Sequence, residues 1–123
     1  MKNILVVEDS ESTRSMMKAV IEDLGEDYLV FEAGTGFEAL KLLPAEAFSL
    51  IITDINMPDI NGIELISFVK STPQYRGIPV IIVSTEGSEE DRRRGLALGA
   101  EAYITKPFKP EDLQEKIRVV LSP

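Results

Sequence analysis

The 123-residue chain contains no cysteine and no histidine. Without cysteine there can be no disulfide, no thiolate metal ligand and no cysteine nucleophile. Without histidine there is no imidazole metal ligand and no imidazole general base. Any chemistry must therefore use carboxylates, hydroxyls, lysines and backbone groups.

The chain also lacks long apolar segments and an excess of basic residues. No run approaches the ~20 apolar residues of a membrane-spanning helix, and the apolar start at residues 4–7 is too short for a signal peptide. Lys and Arg number 13 against 21 Asp and Glu, a formal charge of −8. Because nucleic acids and anionic membranes are bound chiefly through basic patches, we expect neither as a partner. We expect a cytoplasmic protein.

What is present fits one globular domain. Apolar residues make up 44% and charged residues 28% of the chain, as in ordinary globular proteins. A chain of this length can bury one substantial core. With no linker, repeat or low-complexity stretch, we expect a single domain over residues 1–123 and no attached output domain.

Short apolar runs alternate five times with segments of helical periodicity. The predicted strands are 4–7, 28–31, 50–52, 80–83 and 102–104. The first, third and fourth are unbroken and rich in β-branched residues, which is typical of strands buried on both faces of a parallel sheet. The second and fifth are weaker and are expected nearer the sheet edges. The alternation predicts βαβ units with right-handed crossovers, an α/β fold.

Local signals mark where several helices begin and end. Thr35 with Glu38, and Asn61 with Glu64, have the spacing of capping boxes. Pro110 suits the first turn of the last helix. We expect an acidic first turn in the fourth helix, after Ser88, and little apolar surface along it.

Polar side chains follow four of the predicted strands where each one ends. Glu8 and Asp9 follow the first strand and Asp54 the third. Ser84 and Thr85 end the fourth, and Lys106 ends the fifth. Ligands of open α/β sheets bind beyond the carboxyl ends of the strands, so these groups are expected to form one site.

The residue types in this site indicate phosphoryl chemistry with a hard cation. Three converging carboxylates repel one another unless a cation lies among them, and oxygen ligands alone favour Mg²⁺. A carboxylate beside such a cation can act as a nucleophile toward phosphorus. Phosphoryl transfer then needs mainly positioning and charge neutralisation, which Lys106 and Ser84 are placed to supply.

Several motifs together resemble the receiver domains of response regulators, in the single-domain form called CheY-like. The resemblance covers essentially the whole chain and rests on motifs in order: Val7-Glu8-Asp9-Ser10, Thr53-Asp54-Ile55-Asn56-Met57-Pro58, Gly62, Val83-Ser84 and Tyr103-Ile104-Thr105-Lys106-Pro107-Phe108. It implies a flavodoxin-like fold, a five-stranded doubly wound parallel sheet in the order 2-1-3-4-5 with five helices. It also implies a cis bond between Lys106 and Pro107, since X–Pro bonds are the common place for one.

The resemblance assigns a role to each site residue. It implies that Asp54 is the phosphoacceptor and that Lys106 pairs with the phosphoryl group. Ser84 and Tyr103 correspond to the switch hydroxyl and the switch aromatic. The residues implied to hold Mg²⁺, for which Mn²⁺ would substitute, are Glu8, Asp9, Asp54 and the backbone carbonyl of Asn56.

The family's partners are implied in the same way. A histidine kinase would donate the phosphoryl group from its phosphohistidine, and phosphorylation would switch a target-binding surface of the fourth helix, fifth strand and fifth helix. The chain would then hydrolyse its own acyl phosphate, at a rate tuned through Asn56 and Glu86, and would catalyse nothing else. A monomer, or a weak dimer on phosphorylation, is implied, with chemotaxis as the suggested pathway.

Some features depart from the family pattern or allow another interpretation. Glu8 and Ser84 replace the commoner Asp and Thr, and Thr85 stands where a smaller residue is usual, which could narrow access to the phosphoryl group. Residues 34–39 match the G-x-G-x-x-A fingerprint of dinucleotide-binding folds, with Asp54 at a suitable distance downstream. A nucleotide-binding fragment is therefore one alternative. A receiver without phosphoryl chemistry and an aspartyl phosphohydrolase are two others.

Overall fold

A computed structural model of the chain describes residues 1–85 and 88–122. In these residues five strands alternate with five helices. The strands are β1 (Lys2–Val7), β2 (Tyr28–Ala33), β3 (Leu50–Asp54), β4 (Val80–Thr85) and β5 (Ala102–Lys106). The helices are α1 (Glu11–Glu22), α2 (Gly36–Leu42), α3 (Gly62–Ser71), α4 (Glu89–Ala97) and α5 (Pro110–Leu121).

The strands form one sheet in the order β2-β1-β3-β4-β5, and every neighbouring pair is parallel. This order confirms the predicted doubly wound fold. The two weaker apolar runs, β2 and β5, are the edge strands, as expected. All five strands therefore end at the same edge of the sheet, where the polar residues of the predicted site follow.

Successive residues of the central strands face opposite sides of the sheet and build two separate cores. Leu5, Ile51 and Ile82 pack with α2 and α3 on one side. Ile4 and Ile52 pack with buried residues of α1 and α5 on the other. Burial on both faces explains why β1, β3 and β4 have no polar alternation. Among the residues that the structure describes, no helix has the length and apolar character to cross a membrane.

The start of α1 is fixed by Ser10. Its hydroxyl accepts a hydrogen bond from the Thr13 amide at 3.4 Å, as an N-cap does. Asp9 is therefore not the cap, and its carboxylate lies exposed at the sheet edge. The helix ends at Glu22, before Gly25 adopts a positive φ of 147°.

One of the two predicted capping boxes is complete, and not every apolar residue of the helices is buried. Asn61 forms the reciprocal box with Glu64 at α3, whereas at α2 only the Thr35 hydroxyl takes part, accepting a hydrogen bond from the Glu38 amide. Phe37 and Phe68 keep 58% and 42% of their surface exposed. Helical spacing places a residue on a face, but the neighbouring elements decide whether that face is covered.

Gly62 lets α3 begin against the end of β3. Its amide donates a 2.8 Å hydrogen bond to the carbonyl of Ile55. A Cβ at this position would overlap the backbone carbonyl of Asp54 and the Cα of Ile55. Because the obstructing atoms are backbone, they cannot move without displacing the end of the strand that carries Asp54.

We expect Gly62→Ala to lower the free energy of unfolding by about 1–3 kcal/mol, the usual cost of overpacking a tight contact. Urea denaturation would measure this change. Gly77→Ala is the matched control, because a Cβ at that exposed position meets nothing within 4 Å. Equal stability of the two variants would contradict the steric argument.

Candidate functional site

The predicted site residues meet at the carboxyl edge of the sheet. Asp54 pairs in register with Val83, and Thr85 with Lys106, so the ends of β3, β4 and β5 coincide. Glu8 and Asp54 are buried, with 1% and 5% exposure, whereas Asp9 is exposed. The site thus has two acids inside the fold and one at its surface.

The three carboxylates form a compact cluster. Glu8, Asp9 and Asp54 each offer an oxygen, and these atoms all lie within 4.8 Å of one another. Like charges at this separation repel strongly where water is excluded. The fold therefore needs positive charge close to them.

Lys106 supplies one positive charge. Its Nζ lies 2.6 Å from Glu8 Oε1 and 3.3 Å from Asp54 Oδ2, so it bridges two strands of the sheet. The Lys106 side chain is only 23% exposed. Its position between the two buried acids agrees with the predicted convergence, although the shorter contact is to Glu8.

Glu8 is held from several directions. Its Oε2 accepts a hydrogen bond from the Ser10 amide at 3.1 Å. Its Oε1 makes the ion contact with Lys106, but it has no well-directed hydrogen-bond partner among the described residues. Arg14 donates a 2.8 Å hydrogen bond to the Glu8 carbonyl and also pairs with Glu32. Sequence reasoning missed Arg14, because nothing in its spacing links it to the strand end.

Burial and charge shift the pKa values of this pair. Burial raises the pKa of Glu8 above its ordinary value, although Lys106 and the Ser10 amide act in the opposite direction. For Lys106, burial acts to lower the pKa, but Glu8 and Asp54 outweigh it and the net pKa is raised. Lys106 therefore stabilises the fold fully at pH values below 10.5, its ordinary pKa. This stabilisation is lost as the pH rises through the raised pKa of the folded state. The charged form of Glu8, by contrast, opposes folding at neutral pH.

The residues present fit a hard divalent cation. Among the described residues, three carboxylates face one ammonium group, so the site keeps an excess of negative charge. In the same part of the chain, the buried Glu8 Oε1 has an ion contact but no directed hydrogen bond. An all-oxygen donor set with excess negative charge suits Mg²⁺.

The remaining predicted residues surround this cluster. Ser84 is fully buried at the end of β4, and Thr85 beyond it is exposed. The Asn56 amide lies 3.4 Å from Asp54 Oδ1, and Tyr103 is 41% exposed on β5. Lys106 and Pro107 are joined by the predicted cis peptide bond. Glu86, expected to tune the hydrolysis rate, lies outside the described residues.

Comparison with known proteins agrees with this arrangement. The family model described as "Response regulator receiver domain" matches residues 4–118. The chain is a receiver domain of the response-regulator family. Within this family it is a CheY-like receiver of two-component signalling.

Individual relatives support the same assignment. The chain is 42% identical over 120 residues to the chemotaxis protein CheY1 of Helicobacter pylori, covering 96% of this chain and 95% of that protein. A CheY homologue of Campylobacter jejuni is also 42% identical, with 96% and 91% covered. The structure of CheY4 of Vibrio cholerae matches with a TM-score of 0.90 and 38% identity, covering 98% and 99%.

Family membership explains the acidic cluster and the class of partner. Receiver domains bind Mg²⁺ at an acidic pocket, and Glu8, Asp9 and Asp54 form such a pocket in this receiver domain. CheY-type receiver domains interact with histidine kinases and with downstream target proteins.

The loop after β3 contains a further residue that the sequence did not single out. Asp59 Oδ1 and Oδ2 accept hydrogen bonds from the amides of Gly36 and Phe37 at 3.1 and 2.9 Å. A carboxylate of the same chain thus occupies the start of α2, where a dinucleotide fold would bind pyrophosphate. A Cβ at Gly36 would press on Ile60, so packing explains this glycine. Both contacts argue against the nucleotide-binding alternative.

We expect Asp59→Asn to weaken the connection between the β3–α3 loop and α2. Burial acts to raise the pKa of Asp59, but the amides of Phe37, Ile60 and Gly36 outweigh it and lower the net pKa below 3.8. An acid whose pKa is lowered by folding stabilises the fold at pH values above its pKa in the unfolded chain. This stabilisation is lost as the pH falls through its pKa in the folded state.

A carboxyl ¹³C NMR titration of Asp59 would measure its folded-state pKa directly, and urea denaturation would compare the variant with the wild type at pH 7. Asp27→Asn is the control, since Asp27 is exposed and its carboxylate makes no hydrogen bond in the described residues. An Asp59 pKa at or above 3.8 would contradict the role of the amides.

We expect Lys106→Met to lower the free energy of unfolding by about 3 kcal/mol in chelator, because the buried Glu8 then loses the ammonium group that lies 2.6 Å from its Oε1. Mg²⁺ binding should persist, and excess Mg²⁺ should restore part of the lost stability. Thermal unfolding with chelator or Mg²⁺ tests this, with Lys116→Met, an exposed lysine of α5, as control. A variant as stable as the control in chelator would show that Lys106 does not compensate the buried acids.

Proposed function

We propose that Asp54 accepts a phosphoryl group from the phosphohistidine of a histidine kinase, and that this changes a target-binding surface formed by α4, β5 and α5. The observation that carries the proposal is the position of Asp54 Oδ2, 3.3 Å from Lys106 Nζ within the three-carboxylate cluster. A nucleophilic oxygen, a cation partner for phosphoryl oxygens and a cation-binding pocket are thereby brought together.

In the proposed transfer, a carboxylate oxygen of Asp54 attacks phosphorus. The new P–O bond forms as the P–N bond to the kinase imidazole breaks, and the electron pair of that bond stays on the imidazole nitrogen. Lys106 is close enough to neutralise charge on a phosphoryl oxygen, and Ser84 lies on the neighbouring strand to donate a hydrogen bond to another. Mg²⁺, when bound, offsets negative charge on the transferred group.

We assign the cation site to Glu8, Asp9, Asp54 and the backbone carbonyl of Asn56, with Mn²⁺ able to replace Mg²⁺. Glu8 is buried and accepts a hydrogen bond from the Ser10 amide, whereas Asp9 is exposed and can approach an ion from the solvent side. One side of the site is therefore rigid and the other is adjustable.

The proposed reversal is hydrolysis. A water attacks phosphorus, the P–O bond to Asp54 breaks with its electron pair returning to the carboxylate, and the proton lost by the water leaves with inorganic phosphate or to solvent. Thr85 is exposed and pairs in register with Lys106, and we propose that it narrows access to the phosphoryl group. Because the chain would turn over only its own acyl phosphate, we classify it as a signalling phosphoacceptor rather than as an enzyme.

The names of the relatives suggest the pathway. The matched proteins of Helicobacter pylori and Campylobacter jejuni are named for chemotaxis, so we propose chemotaxis or motility signalling for this receiver. A charge of −8 argues against nucleic acid or an anionic membrane as the partner, and we propose a cytoplasmic protein whose partners are proteins. We further propose that this receiver domain is monomeric, or weakly dimeric when phosphorylated.

Intact-mass measurement after incubation with acetyl phosphate tests the proposal. We expect one phosphoryl-sized mass gain that requires Mg²⁺, is retained in Asp27→Asn and is absent from Asp54→Asn. The Asp54 variant should stay folded, because replacing the carboxylate by an amide conserves its shape. A gain that persists in Asp54→Asn would assign the phosphoryl group to another residue, and no gain in the wild type would refute phosphoacceptor chemistry.

A further inference from the structure

One of three consecutive arginines on α4 has a largely covered side chain. The side chains of Arg93 and Arg94 are 74% and 60% exposed, as expected for a polar helix face. The Arg92 side chain is only 16% exposed. Its aliphatic stem and charged guanidinium are therefore largely covered by neighbouring residues, and the contacts of the guanidinium show which ones.

The contacts of Arg92 connect the two residues that the family resemblance marks as switch residues. Its guanidinium carbon lies 5.0 Å from the centroid of the Tyr103 ring, within range of a cation–π contact. Its Nη1 lies 3.5 Å from both Ser84 Oγ and the Thr85 carbonyl, which is the long end of hydrogen-bonding distance. Within residues 1–85 and 88–122, Arg92 is the one recorded hydrogen-bond partner of the buried Ser84 hydroxyl.

Arginine is suited to this position. Its planar guanidinium can stack on an aromatic face while its edge donates hydrogen bonds, whereas an ammonium group cannot do both. The Tyr103 ring is 41% exposed and lies beside the guanidinium rather than inside the core. Arg92 therefore contacts Ser84 and Tyr103 at the same time.

We propose that Arg92 is a positioning residue that stabilises the unphosphorylated conformation by holding Ser84 and Tyr103 together. The inference rests on the proposed function and on the switch roles that the family resemblance implies for Ser84 and Tyr103, by which Ser84 would move toward the phosphoryl group and Tyr103 into the space that it leaves. Either movement breaks a contact with Arg92. Contacts that exist in only one of two conformations shift the equilibrium between them, so Arg92 sets how readily this receiver is activated.

The same helix provides a control for the alternative that Arg92 only supports α4. Arg92 pairs with Glu89, and Arg93 pairs with Glu90, each at the i,i+3 spacing. Arg93 therefore has the local interactions of Arg92 without its contacts to β4 and β5. Methionine conserves helix propensity and much of the side-chain stem at either position.

The first test uses unphosphorylated protein and needs no phosphoryl chemistry. Three-bond NMR couplings of Tyr103 Cγ to its backbone nitrogen and carbonyl carbon report the χ1 populations of the ring. We expect one dominant rotamer in the wild type and in Arg93→Met, and mixed rotamers in Arg92→Met. An unchanged rotamer population in Arg92→Met would overturn the proposal.

The second test uses beryllofluoride with Mg²⁺ as a phosphoryl mimic. We expect the apparent affinity to rise about fivefold to tenfold in Arg92→Met, because the competing conformation loses its cation–π contact, and to stay unchanged in Arg93→Met. Arg92→Lys, which keeps the charge without the planar stack, should fall between them. Unchanged or weaker binding by Arg92→Met would overturn the proposal.

The two tests separate failure of this inference from failure of the proposed function. If wild-type protein shows no beryllofluoride binding that depends on Asp54, the phosphoacceptor function is refuted, and the Tyr103 rotamers still decide whether Arg92 holds the ring. If the wild type binds and the Arg92 and Arg93 variants behave alike in both tests, only the role of Arg92 is refuted.

Discussion

The ion contacts of Lys106 with Glu8 and Asp54 are the interaction on which the rest of the site depends. Two buried carboxylates and a third at the surface would repel one another strongly without a cation between them. Lys106 reaches both buried acids from the last strand of the sheet. This contact ties β5 to β1 and β3, and it leaves enough negative charge for a divalent cation.

The parallel sheet makes that contact possible. Strands that all run the same way place residues distant in sequence at one edge, so Glu8, Asp54 and Lys106 meet although 52 residues separate the last two. Short-range features then adjust the edge. Ser10 caps α1 and leaves Asp9 available, and Gly62 allows α3 to start against the strand that carries Asp54.

Most of this arrangement follows from patterns that are local in the sequence. Unbroken runs of β-branched residues identify the central strands, and weaker apolar runs identify the edge strands. The polar residues just beyond the strand ends identify the site. Capping residues such as Asn61 act within one turn of their own helix, so spacing alone reveals them.

The features that sequence reasoning missed are contacts between distant elements. Asp59 binds amides 22 and 23 residues earlier in the chain, and Arg14 donates to the carbonyl of a strand-end residue. Arg92 could not be distinguished from Arg93 by composition, because burial depends on what lies opposite each side chain. Phe37 shows the same limit for an apolar residue: its apolar side chain predicts burial, but among the described residues no other element covers most of it.

The loop between β3 and α3 is held at its ends and in its middle. The Gly62 amide at the start of α3 donates to the Ile55 carbonyl at the start of the loop, and Asp59 in the middle accepts hydrogen bonds from the first amides of α2. A segment fixed in this way has already lost most of its conformational entropy on folding. If the Asn56 carbonyl binds the cation as proposed, its recruitment requires little further ordering, and more of the intrinsic interaction energy remains available as affinity.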